Sequence, residues 1–309
     1  MHKNRSMSHA LKRGFLLLQQ HKKMEKTLKI AIQKKGRLNE ESIQLLKQCG
    51  VKFNNGRDQL KVTSHSFPAE LLFLRNSDIP NYVKDGVADI AILGENTIIE
   101  KGVKLDIIEK LGFSKCKLSL AVPKNINYSD IKFFEGKKIA TSYPNTLQKY
   151  LDKKGVNAEI HVISGSVEIA PNIGLADGIC DLVSSGSTLF KNGLKECDEI
   201  LNSEACLVAT PGLTGEKKEI LDRLMFRINA VHSAKKNKYV LLNAPNDKLN
   251  AIISCLPGMK SPTVLPLAQE GWSSVHSVIK EGDFWNSIDE LKANGAQGIL
   301  IVPIEKMVI

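Results

Sequence analysis

Short apolar runs alternate with amphipathic stretches along the first two thirds of the chain. Residues 28–32 make a run of strand length, apolar but for Lys29, that leads to Gly36. Beyond it Ile43, Leu45, Leu46 and Cys49 recur at helical spacing, with Asn39 as the expected cap. Glu40 and Glu41 occupy the first turn, where negative charge suits the positive helix end, and Gly50 stops the helix. A second helix is expected from Asp78, Ile79 and Pro80 to Gly86, then a strand over 89–93. Further strands are expected over 117–123, 138–142, 159–164 and 179–183. Such alternation argues a parallel α/β sheet, whose ligands gather where strands end. Gly36, Gly94 and Gly186 all fall at such ends.

The 117–123 run has no glycine loop of its own and reads as a crossover into a second lobe. Residues 204–210 return the chain to the first. The expected organisation is therefore a first lobe of 24–116 with 200–234, and a second lobe of 117–199. Ile220, Leu224, Ile228 and Val231 share one face of a long helix over 216–235. The tail, 235–309, follows the order strand, helix, strand, strand, helix, strand. Its pieces cover 238–243, 247–255, 263–267, 274–279, 283–294 and 298–303. That order predicts a split βαβ, ferredoxin-like unit.

Composition narrows the picture only slightly. A chain of 309 residues can bury a sizeable core, and the length suggests about two domains. Six of the ten net positive charges come from Lys3, Arg5, Lys12, Arg13, Lys22 and Lys23, in an acid-free stretch over 1–23. That stretch, whose basic and acid-free composition also resembles a transit peptide, is expected to be a disordered extension or the product of an upstream start. Elsewhere lysines are interspersed with acids, a solvated surface with anion-binding spots, and no nucleic-acid stripe is read. The six cysteines form no Cys-x-x-Cys pair and read as reduced thiols of a cytoplasmic protein. No apolar run approaches the length of a membrane span.

The chemistry concentrates after the 179–183 strand, which carries Asp181 and opens into Ser184, Ser185, Gly186, Ser187, Thr188 and Leu189. Converging backbone N–H groups, hydroxyl donors and a glycine without Cβ are what a phosphate needs, although small polar residues after a strand are, by composition alone, more often an ordinary turn. No lysine precedes Thr188, so this is not the nucleotide-triphosphate loop. An acid beside a phosphate cradle points to a sugar phosphate. Upstream, Glu168, Gly174, Ala176 and Ile179 keep a spacing to Asp181, Ser185, Gly186, Thr188 and Leu189 that resembles the signature of the ATP phosphoribosyltransferase family. Residues 32–38, 89–96, 117–121 and 139–144 resemble further segments of that family. Residues 261–306 resemble the extra domain of its long form.

The resemblance implies an α/β fold: a two-lobed catalytic core like type II periplasmic binding proteins, plus a C-terminal ferredoxin-like (ACT-like) regulatory domain. It implies that a ring nitrogen of ATP displaces pyrophosphate from phosphoribosyl pyrophosphate with Mg²⁺, the first step of histidine biosynthesis. It also implies feedback inhibition by histidine and dimers assembling into a homohexamer. The 184–189 loop is then expected to hold the 5′-phosphate. Asp181 and Glu168 become candidates for ribose hydroxyls or Mg²⁺, Asp181 reading equally as a loop cap and Glu168 as a helix-start carboxylate. Arg37, just past Gly36, suits a phosphate fork, with Lys34 beside it. Arg75, Asp89, Gly94, Glu95 and Tyr143 are the remaining candidates for ATP, although Asp89 reads equally as the start of a strand. Near Arg75 the sequence departs from the family pattern, with Phe73, Asn76 and Ser77 where charged residues are expected. In the tail, Asn243, Ser261 and Thr263 are the candidates for bound histidine.

Overall fold

The computed structural model describes residues 27–54, 59–256, 258 and 261–309. The basic stretch 1–23 lies outside them. The strands are β1 (Leu28–Gln33), β2 (Lys61–Thr63), β3 (Ala69–Leu74), β4 (Ile90–Gly94), β5 (Asp106–Lys110), β6 (Cys116–Pro123), β7 (Lys138–Thr141), β8 (Glu159–Val162), β9 (Gly178–Val183), β10 (Leu194–Ser203) and β11 (Ala205–Ala209). The tail adds β12 (Asn237–Pro245), β13 (Thr263–Pro266), β14 (Trp272–Lys280) and β15 (Gln297–Pro303). Helices are α1 (Arg37–Gln48), α2 (Ile79–Lys84), α3 (Glu95–Lys101), α4 (Pro144–Lys154), α5 (Ser187–Lys191), α6 (Gly215–Lys236), α7 (Leu249–Ser254) and α8 (Glu281–Ala293).

The first compact unit carries two sheets. One has the order β2-β3-β1-β4-β11-β5, with β1 parallel to both β3 and β4. Its central strands are apolar on both faces, so Ile30, Ala31, Ile32, Ala91, Ile92 and Leu93 are all fully buried. The second sheet runs β10-β6-β9-β7-β8, and its core packs Leu118, Leu120, Phe134, Ile139 and Leu147. The chain crosses between the sheets twice, from β5 to β6 and from β10 to β11. The two crossings are tied together: Ala205 N donates to Phe113 O (3.0 Å), and Gly112 N donates to a Glu204 carboxylate oxygen (2.9 Å). Two lobes joined by two adjacent crossings are the architecture of type II periplasmic binding proteins.

Some boundaries differ from the sequence reading. The expected domain bound at residue 200 falls inside β10, which pairs with β6 through Ser203, while the return expected over 204–210 coincides with β11. Helix α1 begins at Arg37, so Asn39 lies in its first turn instead of capping it. There Asn39 Nδ2 donates to Gln33 O (2.6 Å), closing the loop after β1.

The second unit, Leu221–Ile309 with Lys47–Gly50, takes up most of α6 and the tail. Its sheet has the order β13-β14-β12-β15, all neighbours antiparallel, which is the ferredoxin-like arrangement. Val240, Leu242, Val275 and Ile279 pack one face of this sheet against Ile252 of α7 and Phe284 and Leu291 of α8. Asn243 and Thr263 lie on the opposite face, since Asn243 pairs with Ser274 and Thr263 with His276. On that face Tyr239 Oη lies 2.7 Å from His276 Nδ1, and Ser274 Oγ lies 3.0 Å from His276 Nε2. Ser261 is exposed just before β13.

Candidate active site

Three loops at strand ends meet in the first unit. After β9 the chain turns through Ser184, Ser185 and Gly186 into the single-turn helix α5, and Phe190 N donates to Gly186 O (3.0 Å). Gly186 sits at φ +72°, and a Cβ there meets no other atom within 4 Å. The glycine is therefore demanded by backbone conformation and not by crowding from the protein. Ser185 Oγ and Ser187 Oγ lie 3.1 Å apart, so two hydroxyls sit side by side at the turn. Gly186→Val forces a β-branched residue into the left-handed region, at about 1–2 kcal/mol of strain that the loop relieves by reshaping. The expected result is a loss of kcat/KM for the phosphorylated substrate of roughly tenfold or more, with the melting temperature shifted by only a few degrees. Unchanged steady-state kinetics in that variant would remove the loop from the site.

The loop after β1 supplies the opposite wall. Arg37 Nη1 donates to Ser184 Oγ (3.1 Å), joining the first lobe to the 184–188 turn of the second. Arg37 Nε lies 3.4 Å from Glu41, whose other oxygen accepts from Ser114 Oγ in the first crossing. Lys34 is half-buried beside this loop, its N–H held by Leu74 O (2.8 Å). The loop after β4 is the third wall. Its Gly94 is required by close approach, because a Cβ would strike the Asn96 side chain.

Asp181 lies on β9, half-buried, with one oxygen accepting from Leu182 N (2.8 Å); like Glu168, Tyr143 and Lys34, it lines neither of the two cavities of this region. Burial pushes its carboxyl up to about 6, with the nearby Glu168 charge adding to the rise against the Leu182 N–H. Glu168 lies in a 3₁₀ turn, Val167–Ile169, entered through Ser166 at φ +52°. Tyr143 opens α4, and its hydroxyl accepts from Asn96 Nδ2 (3.3 Å). Burial first, and then the Asp181 charge, raises the phenol further above its ordinary value. Two cavities, of about 420 and 240 Å³, share Lys115, Cys116 and Ser184 as walls. The larger adds Glu95, Lys110 and Lys117; the smaller adds Arg37, Asn76, Gly94 and Asn96.

A family model described as ATP phosphoribosyltransferase matches residues 75–230, and one described as HisG, C-terminal domain, matches 234–306. The ATP phosphoribosyltransferase of Cytophaga hutchinsonii is 57% identical over 285 residues, which span 92% of this chain and 100% of the relative. The chain belongs to the ATP phosphoribosyltransferase family. The Bacteroides thetaiotaomicron ATP phosphoribosyltransferase is likewise 57% identical, over 91% of this chain and 100% of its own length. Among solved structures, the ATP phosphoribosyl transferase (HisG:HisZ) complex from Thermotoga maritima superposes with a TM-score of 0.57 at 32% identity, covering 66% of this chain and 99% of that one. As an ATP phosphoribosyltransferase, a pentosyltransferase, this protein carries out the first step of histidine biosynthesis.

Not every residue singled out in the sequence reaches the cleft of this ATP phosphoribosyltransferase. Asp89 precedes β4, at the end opposite Gly94. It is buried, accepts from Lys29 N (2.8 Å) and pairs with Lys217 Nζ (2.6 Å). That is a pinned structural carboxylate, and the expectation that it meets ATP is corrected. Glu95 does line the larger cavity, paired with Lys110 (2.9 Å). Arg75 is exposed in the turn after β3 and lines neither cavity. The residues the sequence reading missed are Asn96, Lys115, Cys116 and Ser203. Asn96 N donates to Ser203 Oγ (3.0 Å), which donates back to Asn96 Oδ1 (2.8 Å). Nothing local marks these positions, because the two crossings bring them together.

Proposed function

We propose that the 184–189 turn holds the 5′-phosphate of phosphoribosyl pyrophosphate, with Asp181 and Glu168 directed at the ribose. The observation that carries this reading is the Arg37–Ser184 bond. It places a guanidinium from one lobe against the turn of the other, where a phosphoryl oxygen can take donors from both. Displacement at an anomeric carbon passes through an oxocarbenium-like state, so no covalent nucleophile is required of the protein. What it must do is align two anionic substrates and offset charge. In this reading Arg37 and Lys34 offset phosphate charge, while ionised Asp181 accepts from ribose hydroxyls and faces the developing positive ring. Tyr143, Gly94 and Glu95 border the space left for ATP.

The donor set fits Mg²⁺ in the manner usual for phosphate substrates, where one or two carboxylates share the ion with phosphoryl oxygens. Asp181 and Glu168 are the carboxylates that would do so. Among the described residues no group of three carboxylate, imidazole or thiol side chains converges as a resident metal site. The ion supplies charge neutralisation on the pyrophosphate when bound.

On the face of the tail sheet away from its helices, Asn243, Thr263, Ser274 and His276 stand among Leu241, Leu265, Leu300 and Val302, and these polar residues have the donors and acceptors an amino acid needs. Ser261 flanks them. We assign them to inhibitory histidine, and the exposed apolar residues Leu265, Leu300 and Val302 of the same sheet to contacts between copies in a homohexamer. None of the helices among the described residues is long and apolar enough to cross a membrane, and the reading is of a cytoplasmic enzyme. The test is incubation with ATP, Mg²⁺ and phosphoribosyl pyrophosphate while the ultraviolet absorbance of phosphoribosyl-ATP is followed, with and without histidine. Product formation that histidine suppresses is expected. Product without suppression would remove the regulatory assignment alone, and no product would remove the transferase.

A further inference from the structure

The walls of the larger cavity hold three lysines and two glutamates, and these are unequally matched. Lys110 is paired with Glu95 at 2.9 Å. Lys117 is paired with Glu196 at 2.5 Å and approaches Glu199 at 3.9 Å. Glu204 accepts from the backbone at Gly112. Lys115 alone among these lysines has no carboxylate within salt-bridge distance among the described residues, and it is exposed to the cavity space. It also borders the smaller cavity, so one unmatched positive charge stands where the two spaces join.

The backbone that delivers Lys115 is unusual. Ser114, immediately before it, holds φ +49°, a left-handed conformation that a non-glycine residue adopts at a cost of order 1 kcal/mol or more. Its hydroxyl donates to Glu41, the carboxylate that also receives Arg37 Nε. The turn presenting Lys115 and the guanidinium touching Ser184 are therefore fixed by one carboxylate. We propose that Lys115 binds the pyrophosphate end of phosphoribosyl pyrophosphate and meets its growing negative charge as the bond to the anomeric carbon breaks. The inference rests on the 5′-phosphate reading above. With that phosphate on the 184–188 turn, the pyrophosphate falls one ribose ring away from Ser184, the wall that both cavities share with Lys115. A leaving group that gains charge calls for a cation not already neutralised by a carboxylate.

The probe is inorganic pyrophosphate as a product inhibitor of the full-length enzyme, compared between wild type, Lys115→Met and Lys115→Arg. Losing a charge-assisted contact is worth about tenfold or more. Lys115→Met is therefore expected to raise the pyrophosphate inhibition constant and lower kcat by at least about tenfold. KM for ATP and the melting temperature should stay near wild type, because the side chain is exposed and unpaired. Lys115→Arg should recover most of the loss. Pyrophosphate inhibition within twofold of wild type in Lys115→Met overturns the proposal, as does a change confined to ATP or one matched by a drop in melting temperature. Gly186→Val with wild-type kinetics would instead fail the underlying 5′-phosphate reading, so the two failures are distinguishable.

Discussion

Asp181→Asn is expected to abolish turnover while making the ligand-free protein more stable at neutral pH. The carboxyl group lies half-buried on β9, and burial, reinforced by Glu168, lifts it from its ordinary 3.8 to about 6. A carboxyl whose pKa is raised on folding binds protons more readily in the native state. Its ionisation therefore destabilises the fold as pH rises from about 3.8 to about 6, and the full penalty persists above that window. At 1.36 kcal/mol per pKa unit the penalty at neutral pH is about 3 kcal/mol, an upper figure for what the isosteric amide recovers. The amide oxygen still accepts the Leu182 N–H. Activity runs the other way, because the ribose contact needs the ionised form. In the wild type, kcat/KM for phosphoribosyl pyrophosphate should fall as pH drops through about 6. In Asp181→Asn it should fall roughly a hundredfold at pH 7, since a charged partner of the transition state is lost. Calorimetry of both proteins at pH 7 and below pH 4 gives the check: the stability gain should be present at the higher pH and vanish at the lower. A destabilised variant at pH 7, or one with wild-type kinetics, would refute the assignment.

Much of this was legible because it is local. Strands β1, β4, β7 and β9 are apolar runs that end at glycine or hydroxyl loops, and β12 to β15 with their helices follow the expected order. The 184–188 turn carries its hydroxyls and glycine in consecutive residues, a composition more common in ordinary turns, and its match to the family signature is what singles it out. Strands β5 and β10 escaped notice for a physical reason. Asp106, Glu109 and Lys110 in β5, and Lys195, Glu196, Asp198 and Glu199 in β10, give them the charge of a solvated surface, and β10 carries register shifts that break any alternation. Asn96, Lys115 and Ser203 escaped because their roles are tertiary. Each is an ordinary polar residue until the fold lays distant segments side by side, 107 positions apart in the case of Asn96 and its Ser203 partner. Asp89 misled for the opposite reason: an acid next to a ligand-facing strand is read as functional until its burial and its half-buried lysine partner are seen.

Glu100 shows how the same tertiary logic holds the lobes together, and its removal is expected to have the largest effect on stability. Helix α4 starts with Pro144, which has no N–H, so the first unsatisfied donors are those of Asn145 and Thr146. An ordinary cap would come from the residue before the proline, but that residue is Tyr143, whose side chain makes no capping bond. The cap comes from the other lobe. Glu100, on α3, accepts from Asn145 N (3.0 Å), Thr146 N (2.9 Å) and Thr146 Oγ1 (2.6 Å), while Asn145 Nδ2 donates to its carbonyl (3.1 Å). Glu100 is only 8% exposed, and its carboxylate faces the positive end of α4, where anionic charge is favoured. Glu100→Ala strands the two donors of buried Thr146, at about 1–3 kcal/mol each, together with the N–H of exposed Asn145, and part of that is relieved as water enters. A net loss of about 4 kcal/mol, or roughly 10 °C in melting temperature, is expected. Glu100→Gln keeps one acceptor oxygen and should lose about half as much. Because Asn96 and Tyr143 meet on the same two helices, the alanine variant should also raise KM for both substrates, as the lobes no longer hold the cleft walls in register. A melting temperature within 2 °C of wild type, measured by circular dichroism, would show that α4 finds its cap elsewhere and that Glu100 does not join the lobes.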